Sequence, residues 1–339
     1  MKNVLASVIF SLGLMLPLGL NPAMAETAAK QKTKAAPEMI VGFAFDWDDN
    51  IFEMPTKIML YDKVNKTEKG VSTEDFALIR GSIGKPGTEW ANFEMRSSPE
   101  EGSLRYFGDY SKEGKKQFSN DVALAMNTKG YHWQGPVWND FVSAMGATQT
   151  SKNTWIITAR QHAPTTIHGA LTELRTKGLI KTVLPASNIW AVSHRDFDKD
   201  FKRVFSREAP EGGASEPSAR KAAVMESILD QISATSMPKG APSTADIEGT
   251  GKSQQHLWGF SDDDFGNFSK AKNVLQKGVD AGKWQNVKIT LFFTGTNHPT
   301  EKPQSIVLRP KKEPRKFTEV DEWKELLSKS DGRLLNQVR

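Results

Sequence analysis

The sequence predicts an α/β protein built on an open, mainly parallel sheet with helices on both faces, and three features of the chain point to it. Short apolar runs, each suited to one strand that is covered on both sides, recur along the sequence. Segments with apolar residues at helical spacing lie between these runs. The 339 residues, 38% of them hydrophobic, can also bury a sizeable core. Strands and helices that alternate in this way wind into a Rossmann-like sheet.

Five apolar runs are the predicted strands of this sheet. The first, residues 39–45 (MIVGFAF), is a continuous apolar run, as expected of a strand buried on both faces. The other four are residues 154–157, 189–192, 257–260 and 287–293. Because the ligand site of such a sheet lies at the carboxyl ends of its strands, the residues after each run are the first candidates for chemistry.

Four segments between the strands have apolar side chains at i, i+3, i+4 and i+7 spacing, which predicts amphipathic helices. They are residues 137–145, 167–174, 224–232 and 268–279.

Residues 53–135 interrupt this alternation, because they separate the first strand from the next helix by far more than such a connection requires. We expect them to form an inserted cap, with a hairpin near residues 56–71. The core is then predicted to comprise residues 39–52 and 136–300. Residues 301–339 are expected to form a C-terminal extension with a short helix that starts at Thr318.

The N-terminal residues have the pattern of a secretory signal peptide. Lys2 precedes an apolar run over residues 4–20, and Ala23-Met24-Ala25 is typical of a signal-peptidase site. Residues 1–25 are therefore predicted to be removed, and residues 26–38 to form a flexible leader. A membrane anchor is the alternative, but a span needs ~20 apolar residues and this run is interrupted by Pro17. We expect a secreted or periplasmic protein that has no membrane attachment after processing.

Composition excludes several kinds of chemistry. The chain has no cysteine, so it has no disulfide, no cysteine-bound zinc and no thiolate nucleophile. Its 45 basic and 40 acidic residues leave a net charge of only +5, which gives no argument for a nucleic-acid partner.

The first predicted strand is followed by Asp46-Trp47-Asp48-Asp49-Asn50. Several carboxylates placed together at the end of a buried strand cost free energy unless a positive charge neutralises them. A divalent cation would do so, and oxygen ligands suit Mg²⁺. The alternative is that Asp48 and Asp49 lie in a solvated turn.

Three other predicted strand ends or helix starts carry residues that suit a phosphate or a metal ion beside it. Thr158 and Ala159 end the second strand, where a hydroxyl and backbone amides before a helix favour an anion. Capping that helix is the alternative role of Thr158. Lys221 starts the third predicted helix, unless it is simply an exposed lysine. Asp262 and Asp263 follow the fourth strand.

Taken in order, these motifs resemble those of the haloacid dehalogenase-like (HAD) hydrolase superfamily over roughly residues 39–295. The family's first motif is an apolar strand followed by Asp-x-Asp, which matches Asp46 and Asp48. Its second is a strand that ends in Thr or Ser, matched by Thr158. Its third is a single Lys near a helix start, matched by Lys221, and its fourth is an acidic pair after a strand, matched by Asp262-Asp263. Members of the family often carry a cap between the first two motifs.

The resemblance implies a phosphomonoesterase that works through an aspartyl-phosphate. Asp46 would attack phosphorus, and Asp48 would protonate the leaving oxygen and then activate water. Mg²⁺ would be held by the Asp46 carboxylate, the backbone carbonyl of Asp48 and an acid of the fourth motif. Asp263 is the first choice for that acid, because Asn267 then stands at the expected later position. Asp262 is the alternative.

The resemblance also implies how a small phosphorylated substrate is bound. Thr158 would donate a hydrogen bond to the phosphoryl oxygens, and Lys221 would offset their charge. Backbone amides at Trp47 and Ala159 would complete the phosphate site, although the bulky Trp47 is expected to restrict the substrate. The presence of Asp48 favours hydrolysis over dehalogenation, since the dehalogenase motif lacks that second acid.

Two other functions stay open at this point. One is a non-catalytic protein that binds a phosphorylated ligand in the same pocket, and the intact Asp46 and Asp48 count against it. The other is a phosphatase that acts on nucleotide or nucleic-acid phosphate ends. Arg160 and His162 are interpreted as the start of a surface helix, and Asn50 as a mild departure from the Thr or Val of the family.

Overall fold

The structure, a computed structural model, describes residues 39–211, 216–236, 244–245, 252–253, 255–296 and 298–310. The predicted signal peptide, the leader and the short helix at Thr318 lie outside these residues. Among the helices that the described residues form, none combines the length and the apolar character that a membrane span requires.

The bounds of the elements follow in chain order. The strands are β1 (Val41–Phe45), β2 (Ile58–Asp62), β3 (Thr67–Val71), β4 (Phe93–Glu94), β5 (Thr154–Thr158), β6 (Ile189–Ala191), β7 (Thr244–Ala245), β8 (Lys252–Ser253), β9 (His256–Asp262), β10 (Val287–Phe293) and β11 (Gln304–Val307). The helices are α1 (Thr73–Ile79), α2 (Lys112–Asn127), α3 (Trp138–Ala144), α4 (Thr148–Lys152), α5 (Pro164–Thr176), α6 (Phe197–Phe205), α7 (Pro217–Ser233) and α8 (Phe265–Asp280).

The main sheet has the strand order β11-β10-β9-β1-β5-β6. The five strands predicted from apolar runs are its parallel members, which confirms an α/β protein with a mainly parallel sheet. The edge strand β11 is antiparallel, with Val307 opposite Thr290 of β10. The sheet therefore continues past residue 300, which corrects the predicted boundary between the core and the C-terminal extension.

Helices cover both faces of the main sheet. Successive residues of a strand point to opposite faces, so Phe45 of β1 packs in one hydrophobic cluster and Ala44 packs in the other. The first cluster includes Phe118 of α2, Phe141 of α3 and Leu171 of α5. The second includes Val224 of α7 and Leu275 of α8. Every residue of β1 is buried, as its continuous apolar sequence predicts.

The inserted segment divides between two cores. The predicted hairpin is present, with Ile58 of β2 opposite Val71 of β3, and β4 completes a small three-stranded sheet. This small sheet has a hydrophobic cluster of its own, which includes Ile58 and Phe107. Helix α2 instead packs on α5 and buries Phe118 in the main core. The segment that the sequence assigns to the cap, residues 53–135, thus includes a helix that belongs to the main core.

Helix α7 begins earlier than the sequence predicts. Its first residue is Pro217, and proline is favoured there because its missing N–H has no partner to lose at the first helical position. Lys221 therefore lies in the second turn of α7 rather than at its start, and its side chain is 1% exposed.

Candidate active site

The carboxyl ends of three neighbouring strands meet at one edge of the main sheet. Phe45 of β1 pairs with Ser261 of β9, and the Asp46 amide donates to the Ser261 carbonyl at 3.0 Å. On the other side Phe45 pairs with Ile156 of β5, so that Thr158 ends its strand next to the start of the Asp46 turn. Residues that are more than 200 positions apart in the sequence are thereby brought to a single site.

Three carboxylates converge at this edge. Asp46, Asp262 and Asp263 each offer one oxygen, and these oxygens all lie within 4.8 Å of one another. Asp46 is 6% exposed, Asp262 is fully buried and Asp263 is half-buried. Such a set of hard oxygen donors is the kind that Mg²⁺ prefers.

Lys221 lies between two of these carboxylates. Its Nζ is 3.0 Å from Asp46 Oδ1 and 2.7 Å from Asp262 Oδ2. Burial opposes the charge of Lys221, but Asp262 and Asp46 outweigh it and hold the pKa of the ammonium above its usual value. The interpretation of Lys221 as an exposed surface lysine is therefore wrong.

The cluster carries more negative charge than Lys221 can balance. Burial raises the pKa of Asp46 to about 8, and the charges of Asp262 and Asp48 add to this effect. Burial and the neighbouring Asp262 likewise raise the pKa of Asp263 well above its ordinary value. Three ionised carboxylates and one ammonium leave two surplus negative charges, and a divalent cation would offset them. The residues therefore fit a divalent metal.

The two acids of the fourth motif have different surroundings. Asp262 accepts hydrogen bonds on both oxygens, from Lys221 at 2.7 Å, from the Asp264 amide at 2.9 Å and from Asn267 Nδ2 at 3.2 Å. The carboxylate of Asp263 accepts no hydrogen bond within the described part of the chain, and it lines the cavity above the cluster. This difference supports Asp263 as the metal acid and gives Asp262 the role of anchoring Lys221.

Asp48 forms an ion pair that its local sequence does not predict. Both of its carboxylate oxygens accept from Arg160, at 2.9 Å from Nε and 2.6 Å from Nη2. The Arg160 side chain has no exposed surface, and its guanidinium packs over the rings of Phe107 and Phe118 at 4.8 and 4.9 Å. The interpretations of Arg160 as a surface residue and of Asp48 as part of a solvated turn are therefore wrong.

Arg160 is itself held by a buried polar chain. Its Nη2 donates to Thr56 Oγ1 at 3.1 Å, and Thr56 donates to Asp121 of α2 at 2.5 Å. Gln117 donates to the other oxygen of Asp121 at 2.6 Å. The orientation of Asp48 thus depends on residues from the inserted segment as well as from the main sheet.

Thr158 is fully buried, and its hydroxyl accepts from the Arg160 amide at 3.3 Å. It does not cap the following helix, because α5 begins at Pro164 and its N-cap residue is Ala163. The helix-cap alternative for Thr158 is therefore wrong. Ala159 is exposed and lines the cavity, so its backbone is accessible to a ligand.

The side chain of Trp47 turns away from the cavity and into the core. Its indole is fully buried and stacks on the Phe52 ring, with centroids 5.7 Å apart and planes 4° from parallel. The amides of Ile51 and Phe52 both donate to the Trp47 carbonyl, at 3.1 and 3.0 Å, which closes a tight turn. The indole therefore serves packing, and only the backbone of Trp47 remains for the predicted phosphate site.

Asn50 links the ends of three strands. Its Nδ2 lies 3.3 Å from the Asp46 carbonyl and 2.9 Å from Ser261 Oγ, and its Oδ1 accepts from Thr294 Oγ1 at 2.8 Å. The side chain is fully buried. Asn50 is thus more than a mild change of residue type, because it fixes the turn that presents Asp46.

A cavity of about 390 Å³ opens above the cluster and is lined by Asp46, Asp48, Asp263 and Ala159, among other residues. Its size falls within the range of small-molecule sites.

The chain matches no family model, no curated protein and no solved structure.

Proposed function

We propose that this chain is a secreted, Mg²⁺-dependent phosphomonoesterase of the HAD type that acts on a small phosphorylated substrate. The observation that carries the proposal is the surroundings of Asp46. This carboxylate lines the cavity, has the Lys221 ammonium at 3.0 Å, and shares a 4.8 Å cluster with Asp262 and Asp263. A cation, a phosphate and a carboxylate nucleophile can meet there.

Asp46 is the nucleophile in this proposal. It attacks phosphorus, the bond between phosphorus and the leaving oxygen breaks, and an aspartyl-phosphate forms. Lys221 orients the Asp46 carboxylate and offsets part of its charge. Asn50 holds the Asp46 carbonyl and thereby the turn from which the side chain projects.

The metal would be held by the carboxylates of Asp46 and Asp263 and by the backbone carbonyl of Asp48. When bound, it supplies positive charge that stabilises the phosphoryl oxygens during transfer. Lys221 provides a second positive charge beside Asp46 and is anchored by Asp262 at 2.7 Å. Ala159 lines the cavity and would contribute its backbone to the phosphate site, whereas Thr158 and Trp47 are fully buried next to it.

Asp48 acts as general acid in the first step and as general base in the second. Its two oxygens both accept from Arg160, an arrangement that suits the base that activates water. Protonation of the leaving oxygen requires that one of these oxygens be released from the guanidinium. We therefore propose that substrate binding loosens the ion pair between Asp48 and Arg160.

The small sheet and α1 serve as a cap over the phosphate site. Ile58 of β2 and Phe76 of α1 line the same cavity as Asp46. The hydroxyl of Thr73 at the start of α1 donates to the Asp49 carboxylate, and Arg80 after its end pairs with Asp264 at 3.0 Å. Both ends of α1 are thus tied to loops at the strand ends.

A protein that binds a phosphorylated ligand without turnover is the second candidate. The contact between Asp48 and Arg160 favours it, because a permanently paired Asp48 would not serve as a proton donor. Both candidates use the same cavity, so hydrolysis itself separates them.

The test is hydrolysis of a generic aryl phosphate by the chain without residues 1–25, with Mg²⁺ and with a chelator. We expect turnover by the wild type only with Mg²⁺, and none by Asp46→Asn. Asp196→Asn is the matched control, since that carboxylate is 56% exposed on another loop. Absence of turnover across a broad panel of phosphomonoesters, with ligand binding retained, would support the binding protein instead.

A further inference from the structure

The cavity that contains Asp46 has an acidic end and an apolar end. The acidic end is formed by Asp46, Asp48 and Asp263. The apolar end is formed by side chains from the small sheet, from α1 and from the segment before α2: Ile58, Phe76, Leu104 and Phe107. Both ends belong to one space of about 390 Å³, so a ligand with its phosphate at Asp46 reaches the apolar end with the rest of its structure.

The apolar end is incompletely covered by the protein. Ile58 and Phe107 are buried, at 3% and 7% exposure, but Phe76 and Leu104 pack against the same cluster and remain half-buried. A ligand that covers this apolar surface and removes it from water binds with a more favourable free energy. Phe76 and Leu104 both line the cavity that also contains Asp46.

The cations that line this cavity are already paired. Arg80 contacts Asp264 at 3.0 Å, and Arg160 contacts Asp48 at 2.6 Å. Each arginine that lines the cavity therefore has a carboxylate partner before substrate binds. The four apolar side chains of this end favour an uncharged leaving group.

We propose that the site takes phosphomonoesters whose leaving group carries a compact, uncharged apolar body such as one aromatic ring, which packs against Phe76 and Phe107. This inference rests on the proposed function. Water supplies a hydroxyl to phosphorus and a proton to the leaving oxygen, so the products are inorganic phosphate and the free alcohol. Specificity then comes from the inserted segment, whereas the chemistry comes from the main sheet.

The experiment compares two alkyl esters, phenethyl phosphate and ethyl phosphate, because both leave as alcohols and the ring is the only difference between them. We expect kcat/KM of the wild type to be at least about tenfold higher for phenethyl phosphate, since even one methylene in an apolar pocket is worth 10-fold or more. Phe76→Ala should remove most of this preference by lowering kcat/KM for phenethyl phosphate. Phe76→Leu, which keeps an apolar side chain, should retain part of the preference.

Leu78→Ala is the matched control. Leu78 lies on the same helix α1, is 45% exposed and lines the neighbouring cavity instead. Its substitution should leave the preference intact. Equal kcat/KM for the two esters, or a preference that survives Phe76→Ala, would overturn the inference while the proposed function stands.

If neither ester is hydrolysed, the apolar end is tested by binding. Calorimetry with phenethyl phosphonate and with ethyl phosphonate measures the gain in affinity from the ring alone. Tighter binding of phenethyl phosphonate that Phe76→Ala abolishes supports the apolar site, and equal binding of the two phosphonates refutes it.

Discussion

Arg160 holds both carboxylate oxygens of Asp48, through Nε at 2.9 Å and Nη2 at 2.6 Å. The two residues lie 112 positions apart in the sequence and follow neighbouring strands of the main sheet. Arg160 is buried and tied to Thr56, so it fixes the direction in which Asp48 points. Arg160 is therefore a positioning residue for the proposed acid and base.

Arg160→Lys tests this positioning role. Lysine keeps the charge but lacks the two parallel donors, so we expect kcat to fall about 10-fold to 100-fold with a smaller change in KM. The loss should largely disappear in an Asp48→Asn background, because the two residues act as one unit. An equal loss of kcat in both backgrounds would show that Arg160 acts through something other than Asp48.

Lys221→Met tests the balance of charge in the cluster. The substitution leaves Asp46 and Asp262 buried without their shared ammonium, and we expect a loss of about 3–5 kcal/mol in the free energy of unfolding. The loss should be smaller at pH 5 than at pH 8, because protonated carboxyls no longer repel one another. Urea unfolding of the wild type and of Lys221→Met without Mg²⁺, at pH 5 and at pH 8, measures the loss and its dependence on pH. A loss that does not depend on pH would contradict the electrostatic explanation.

Asp263→Asn and Asp262→Asn separate the two acids of the fourth motif. Mg²⁺ should raise the melting temperature of the wild type, because a ligand that binds only the folded state stabilises it. Asp263→Asn should abolish this rise and keep the melting temperature of the metal-free protein close to that of the wild type. Asp262→Asn should lower the metal-free melting temperature itself, since it weakens the contact with Lys221. The reverse pattern would assign the metal to Asp262.

His162→Gln tests the burial of the loop that carries Arg160. Burial lowers the pKa of His162 to about 3, below the value of about 6.5 for an unfolded chain. The unfolded state therefore binds a proton first, and stability falls by about 1.4 kcal/mol per pH unit as the pH drops below 6.5. His162→Gln should flatten the pH dependence of stability between pH 6.5 and about 3. An unchanged slope in His162→Gln would mean that the ring is accessible to solvent.

Much of the main sheet is predictable from the sequence, because its central strands are buried on both faces and therefore read as apolar runs. The residues of β1 and β9 are all buried. The edge strand β11 is only half-buried along its whole length, and its QSIV sequence carries no such signal. Helix α6 does carry a helical period in its sequence, because Phe197, Phe201, Val204 and Phe205 stand at i, i+4, i+7 and i+8.

The candidate site is only partly predictable, for a related reason. Asp46, Lys221, Asp262 and Asp263 are found together because parallel strands end at a common edge. Arg160 was assigned to the surface because charged side chains are rarely buried without a partner, and its partner is remote in sequence. The position of Arg160, two residues after Thr158 at a strand end, is the feature of the sequence that indicates a role for Arg160 at the site. The direction of the Trp47 indole depends on Phe52 and Phe118, which no local pattern reveals.

The central claim is that Asp46 carries the phosphoryl group during turnover. The most direct measurement is mass spectrometry of the peptide that contains Asp46, after acid quenching of Asp48→Asn during reaction with an aryl phosphate and Mg²⁺. Asp48→Asn should slow hydrolysis of the intermediate and let it accumulate. We predict a mass increase of one phosphoryl group on that peptide, absent from Asp46→Asn. Turnover of the wild type without any phosphoryl group on Asp46, or with one on another side chain, would contradict the account.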